Sequence, residues 1–143
     1  MKSLMTAAAA ALALSAGASA QMWSAEQAEV WSAVEAAWEA HVEDGTWHEV
    51  LHENGYGWGS GLFPVGRDGE AMRRAAEALA DDEGEVLHYD LAPIQIARAG
   101  DTAIAFYYIE TTSTDYEGER QYEVEKCADT LIKDGDDWVF LGW

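Results

Sequence analysis

The chain has 143 residues, with 27 acidic and 8 basic side chains and a formal net charge of −19. That length makes one domain of ordinary size. The charge repels nucleic acid and anionic lipid, so neither is an expected partner, and it is read as a solvated acidic surface.

The first twenty residues read as a cleavable signal peptide. Lys2 supplies a small positive start, and Leu4 to Leu14 is Ala, Leu and Met apart from Thr6. Ala18-Ser19-Ala20 places small residues where signal peptidase requires them. The apolar run falls short of the roughly 20 residues that span a bilayer, so no membrane span is expected after cleavage. No Cys stands at the cleavage site, which argues against a lipoprotein. The expected location is periplasmic or secreted, and the expected domain is 21–143. Removing Lys2 leaves 7 basic against 27 acidic residues, a net −20. All seven Trp lie in this part, so there is apolar material for a real core. Cys127 is the only cysteine and cannot close an internal bridge. A buried, inert thiol is expected, with a disulfide-linked dimer as the alternative.

Ser24 to Asp44 reads as a helix. Ser24 and Gln27 fit a capping box, and Val30, Trp31, Val34, Trp38, His41 and Val42 recur on one face. Asp44-Gly45 stops it. Thr46 offers a cap for a short second helix over Trp47 to His52. Gly55 to Gly66 reads as irregular or short-stranded. Asp68 to Ala80 reads as a third helix, with Met72, Ala75, Ala76 and Leu79 on one side. Strands follow: Val86 to Ala99, with Pro93 marking an edge or a bulge; Thr102 to Thr112; Gln121 to Lys133; and Trp138 to Trp143. Gly100-Asp101 and Asp134-Gly135-Asp136-Asp137 read as turns. Helices followed by hairpin-linked strands give an α+β fold with an antiparallel sheet.

Three stretches carry a family resemblance: Trp38 to Thr46, at the end of the first helix; Val65 to Ala71, leading into the third; and Asp129 to Phe140, the last hairpin. In order and spacing the chain resembles the nuclear transport factor 2-like superfamily, in its SnoaL-like and ketosteroid isomerase-like branch. The resemblance covers nearly the whole of 21–143. It implies a cystatin-like cone: a strongly curved antiparallel sheet wrapped around three N-terminal helices, with a pocket inside. It also implies a homodimer through the outer face of the sheet.

Within that fold, Trp31, Trp38, Tyr56, Trp58, Tyr107 and Tyr108 are expected to line the pocket, although core packing alone would also use them. Such a lining suits a mainly apolar ligand with one or two hydrogen-bonding groups. Comparison with ketosteroid isomerase puts Asp129 at the position of its acidic donor and Trp38 at that of its Tyr. The base position falls near Trp58-Gly59, where no carboxylate stands. Asp129 in an apolar pocket would have a raised pKa; its alternative is a strand-end residue bonded to backbone. His41 and His88 are the candidate acid or base partners, His88 only if it faces inward.

His48-Glu49-Val50-Leu51-His52 matches the H-E-x-x-H pattern, which on a helix could hold zinc. Trp58 stands where the longer form of the motif has its third His, so no metal or other cofactor is expected. No phosphate-cradling loop, G-x-S-x-G elbow or Cys nucleophile is evident. The leading expectation is an exported protein that binds a small, mainly apolar or aromatic molecule. A cofactor-independent lyase, isomerase or hydrolase acting through Asp129 with His41 or His88 is the second. A non-catalytic dimerisation domain is the third, and a zinc hydrolase through His48 and His52 is remote.

Overall fold

The structure, a computed structural model, describes residues 23–44, 47–57, 69–71, 74, 85–115 and 117–143. The leader Met1–Ala20, Trp58 and most of the third helix lie outside the described residues. Helix α1 spans Ala25–Asp44 and is followed by a 3-10 turn, Trp47–Val50. Then come β1 (Leu51–Tyr56), β2 (Val86–Ala99), β3 (Thr102–Thr114), β4 (Arg120–Asp134) and β5 (Asp137–Gly142). Within the expected third helix, Gly69, Glu70, Ala71 and Arg74 are helical.

Helix α1 begins as its sequence dictates. The Ser24 backbone N–H donates to Gln27 Oε1 at 3.0 Å, and the Gln27 N–H donates to Ser24 Oγ at 3.2 Å. That is the reciprocal capping box. Gln27 also donates through Nε2 to the Ile96 carbonyl at 2.8 Å, which ties the helix start to β2.

The strands form one curved, unclosed sheet in the order β1-β5-β4-β3-β2. The curved sheet packed on an N-terminal helix that the resemblance implies is present, with one difference in detail. Its three hairpin pairings are antiparallel, but β1 joins β5 in parallel. The second helix is correspondingly shorter than expected. It ends at Val50, and Leu51 and His52 belong to β1. Leu51 is buried opposite Phe140, so burial beside β5 overrides the weak local preference for another helical turn. Pro93 shows both expected features. It lies on the edge strand β2, and the register to β3 shifts between Pro93 and Gln95.

Strand alternation sorts the sheet into two faces. On β3, Ala103, Ala105, Tyr107 and Ile109 are buried, whereas Phe106, Tyr108 and Glu110 are exposed. The buried set packs under α1 with Val30, Trp31, Val34 and Ala37, together with Ile96, Leu131, Trp138 and Phe140. Burying side chains such as Val30, Val34, Ile109 and Leu131 contributes about 1.5–3 kcal/mol each. At the start of α1 the core is closed by cations. Arg98 and Lys133 lie over the Trp138 ring at 5.4 and 5.7 Å, and they reach Glu26 at 2.7 Å and Glu29 at 3.4 Å.

Candidate functional site

The register of β3 with β4 builds the centre of the concave face. Tyr107 stands opposite Cys127, and Ala105 stands opposite Asp129. Tyr107 and Asp129 are therefore diagonal neighbours on one face, within reach of each other for a long side chain. The Tyr107 hydroxyl donates to Asp129 Oδ2 at 2.5 Å. It accepts from the Trp38 indole Nε1 at 2.9 Å. A chain of donors thus runs from helix to sheet and ends on a carboxyl that is 6% exposed.

Electrostatics follow from that burial. Asp129 is pushed up to about 6 by desolvation, against which the Tyr107 hydrogen bond pulls down. Tyr107 is raised far above its ordinary value, first by burial and then by the Asp129 carboxylate. Cys127, half-buried two residues before Asp129 on the same face, is raised to about 11, chiefly by burial and next by Asp129. The site holds its phenol and thiol neutral. Its carboxyl changes charge near neutrality.

Aromatic rings frame the carboxyl. Trp31 meets Tyr107 edge to face at 5.7 Å, and Trp38 stacks on Tyr89 at 6.2 Å with 27° between the planes. The His41 ring meets Trp38 edge to face at 5.5 Å. Tyr89 lies on β2 opposite Thr111, on the same face as Tyr107.

The structure thus brings Trp31, Trp38, His41, Tyr107 and Asp129 together, and adds Tyr89 and Cys127. The Trp38 indole donates to Tyr107, so Tyr107 stands between it and Asp129. Tyr89 and Cys127 were readable only from pairing: Cys127 stands two residues from the buried Asp129, whereas the bulge after Pro93 leaves Tyr89 an odd number of residues from Ile96, the buried position of β2. Two expected residues point elsewhere. His88 is exposed and pairs with Thr112 on the outer face, because an even position on β2 before the bulge points away from α1. It does not meet Asp129. Tyr108 is also on the outer face, with the Lys126 ammonium 5.9 Å from its ring. Tyr56 is an exposed residue at the end of β1, and Trp58 lies outside the described residues.

The H-E-x-x-H segment is not one helix. His48 falls in the 3-10 turn and His52 in β1, where its Nδ1 accepts from the Asn54 N–H at 3.1 Å. The i, i+4 helical spacing that a zinc pair needs is lost. Among the described residues, no group of three or more His, Cys, Asp or Glu is arranged to hold a metal ion.

No family model matches the chain, and no curated protein does. Solved structures do. A ketosteroid isomerase-like protein from Erwinia carotovora atroseptica superposes with a TM-score of 0.70 at 14% identity, covering 84% of this chain and 94% of that one. A dehydratase candidate of the nuclear transport factor 2-like family from Streptomyces avermitilis gives 0.67 at 15% identity, covering 80% and 91%. The association domain of the Caenorhabditis elegans calcium/calmodulin-dependent protein kinase II gives 0.60 at 14% identity, covering 82% and 92%. At such identities the likeness is one of fold.

Proposed function

We propose that this nuclear transport factor 2-like fold serves to bind a small, mainly apolar molecule on its concave face, oriented by Asp129. The observation that carries the reading is the buried Asp129 carboxyl, fixed by Tyr107 and Trp38 among aromatic rings. A few convergent polar groups in an apolar, aromatic setting are what small-molecule sites use. The fold alone does not choose between binding and catalysis. Binding is favoured because the isomerase base position near Trp58-Gly59 has no carboxylate and His88 is on the other face.

Export belongs to the same proposal. The leader directs the chain across a membrane, and the mature protein begins at Gln21. Among the described residues no helix is long and apolar enough to cross a membrane. Native mass spectrometry of protein purified from the exported fraction of its own cells tests both parts. The expected result is a polypeptide beginning at Gln21, with a small-molecule adduct lost on denaturation. An intact leader would overturn export, and a bare polypeptide in every preparation would overturn the binding reading.

A second reading concerns the outer face, where Phe106, Tyr108, Tyr122 and Val124 are exposed together. A second copy of the chain seated there would make a homodimer. The kinase association domain shares the fold, and its name records assembly.

A further inference from the structure

The concave face carries a chemical preference beyond apolarity. Tyr107 is the one hydrogen-bond donor to the Asp129 carboxyl among the described residues, and it engages Oδ2. An ionised carboxylate has about four acceptor sites on its two oxygens, so Oδ1 keeps capacity for a further donor. Beside it Trp38 and Tyr89 stack on each other, and the π-face of such a ring, unlike its edge, attracts a cation. Further along β4, Glu123 and Glu125 are exposed and share the face of Asp129 by strand alternation, with no bulge between them and it.

The described cations near the sheet are held elsewhere. Arg98 and Lys133 sit on Trp138 beside the start of α1, Lys126 lies over Tyr108 on the outer face, and Arg120, opposite Thr114, shares that outer face by strand alternation. Among the described residues, the cations of the concave face are thus ion-paired to Glu26 and Glu29 at one end, and Asp129, Glu123 and Glu125 lie toward the other with the aromatic rings. A site of that kind attracts positive charge to its mouth and can desolvate it against a fixed anion.

We infer that the ligand of the concave face is an organic cation: a protonated amine on an apolar body, its ammonium donating to Asp129 and its body against Trp38 and Tyr89. The inference rests on the proposed binding reading and adds the charge of the ligand. A charge-assisted N–H···O bond to a buried carboxylate is roughly twice as strong as a neutral one, which separates an amine from an alcohol of the same shape. Repulsion among the carboxylates rejects an acid of the same shape.

Calorimetric titration of the 21–143 protein with 4-phenylbutylamine, 4-phenylbutan-1-ol and 4-phenylbutanoate tests this. The titrations are made at physiological salt, where attraction by the general surface charge is screened. The amine is expected to bind at least about tenfold more tightly than the alcohol, and the acid least. Asp129→Asn should abolish the preference for the amine, weakening it at least about tenfold more than the alcohol. The double variant Glu123→Gln/Glu125→Gln, altered only at exposed positions, should weaken the amine by a few-fold. Equal affinities for amine and alcohol in the unaltered protein would overturn the cation while leaving the binding reading in place. If none of the three binds, both fall. The selectivity of the unaltered protein decides the matter even where Asp129→Asn does not fold.

Discussion

Asp129 is where a single residue most affects the molecule. Its folded pKa of about 6 lies above the ordinary 3.8, and burial is the first cause. A carboxyl raised in this way favours folding while it is protonated. That contribution is complete below about pH 3.8 and is lost as the pH rises through about 6. Two units correspond to about 3 kcal/mol. Urea unfolding of the unaltered protein and of Asp129→Asn, each between about pH 4 and pH 8, should show this difference building up over that interval. A pH-independent difference would mean that Asp129 ionises freely. Tyr107→Phe removes the one described donor to the carboxylate, so it should raise the Asp129 pKa further and cost about 1–3 kcal/mol near pH 8, less near pH 4. Cys127, raised to about 11, should react with a disulfide reagent near pH 8 about a hundredfold more slowly than a free thiol. Asp129→Asn should speed that reaction by removing the neighbouring charge.

At the scale of elements, local chemistry decided most of the structure. The capping box set the start of α1, and Gly135 and Gly100 set two tight hairpins. In each hairpin the first of two loop residues has positive φ, 64° at Gly135 and 61° at Gly100, in open space. Gly135→Ala should therefore destabilise by about 1 kcal/mol through backbone strain alone, readable as a lowered urea midpoint with unchanged m-value. The strands from Val86 onward were legible because β-branched and aromatic residues alternate between glycine turns. The segment from Trp47 to Tyr56 was not. Its Trp-His-Glu-Val-Leu-His run has helical spacing, and only the distant partner Phe140 draws Leu51 into the sheet. The site was half legible for the same reason. Asp129, Tyr107 and Trp38 could be named from the chain, but their order as a donor relay depends on the β3–β4 register and on the packing of α1. His88 could not be assigned a face until the bulge after Pro93 fixed which positions of β2 turn inward.

At the scale of the whole molecule, charge and the outer face act against each other. A chain of net charge −19 repels its own copies, while the outer face offers Tyr122, 64% exposed, and Val124, 52% exposed, next to Phe106 and Tyr108. Asp90 and Glu110 face each other on this same surface, and Tyr122 donates to Glu110 at 3.0 Å. Bringing two such faces together buries apolar area but also brings like charges close. The apolar gain hardly depends on salt, whereas the repulsion is screened over about 30 Å at roughly 0.01 M and about 3 Å at roughly 1 M. Association of the 21–143 protein should therefore strengthen as salt is added, the reverse of an assembly held by ion pairs. Sedimentation velocity across that salt range should show monomer giving way to dimer. The double variant Tyr122→Asp/Val124→Asp should stay monomeric at every salt concentration. Its unfolding midpoint should fall only slightly, because both positions are exposed and the cost is confined to the lost Tyr122–Glu110 hydrogen bond and to repulsion between Glu110 and the carboxylate introduced opposite it. A dimer that persists in this variant would place the contact elsewhere on the surface, and a dimer that weakens with salt would show that opposite charges hold it.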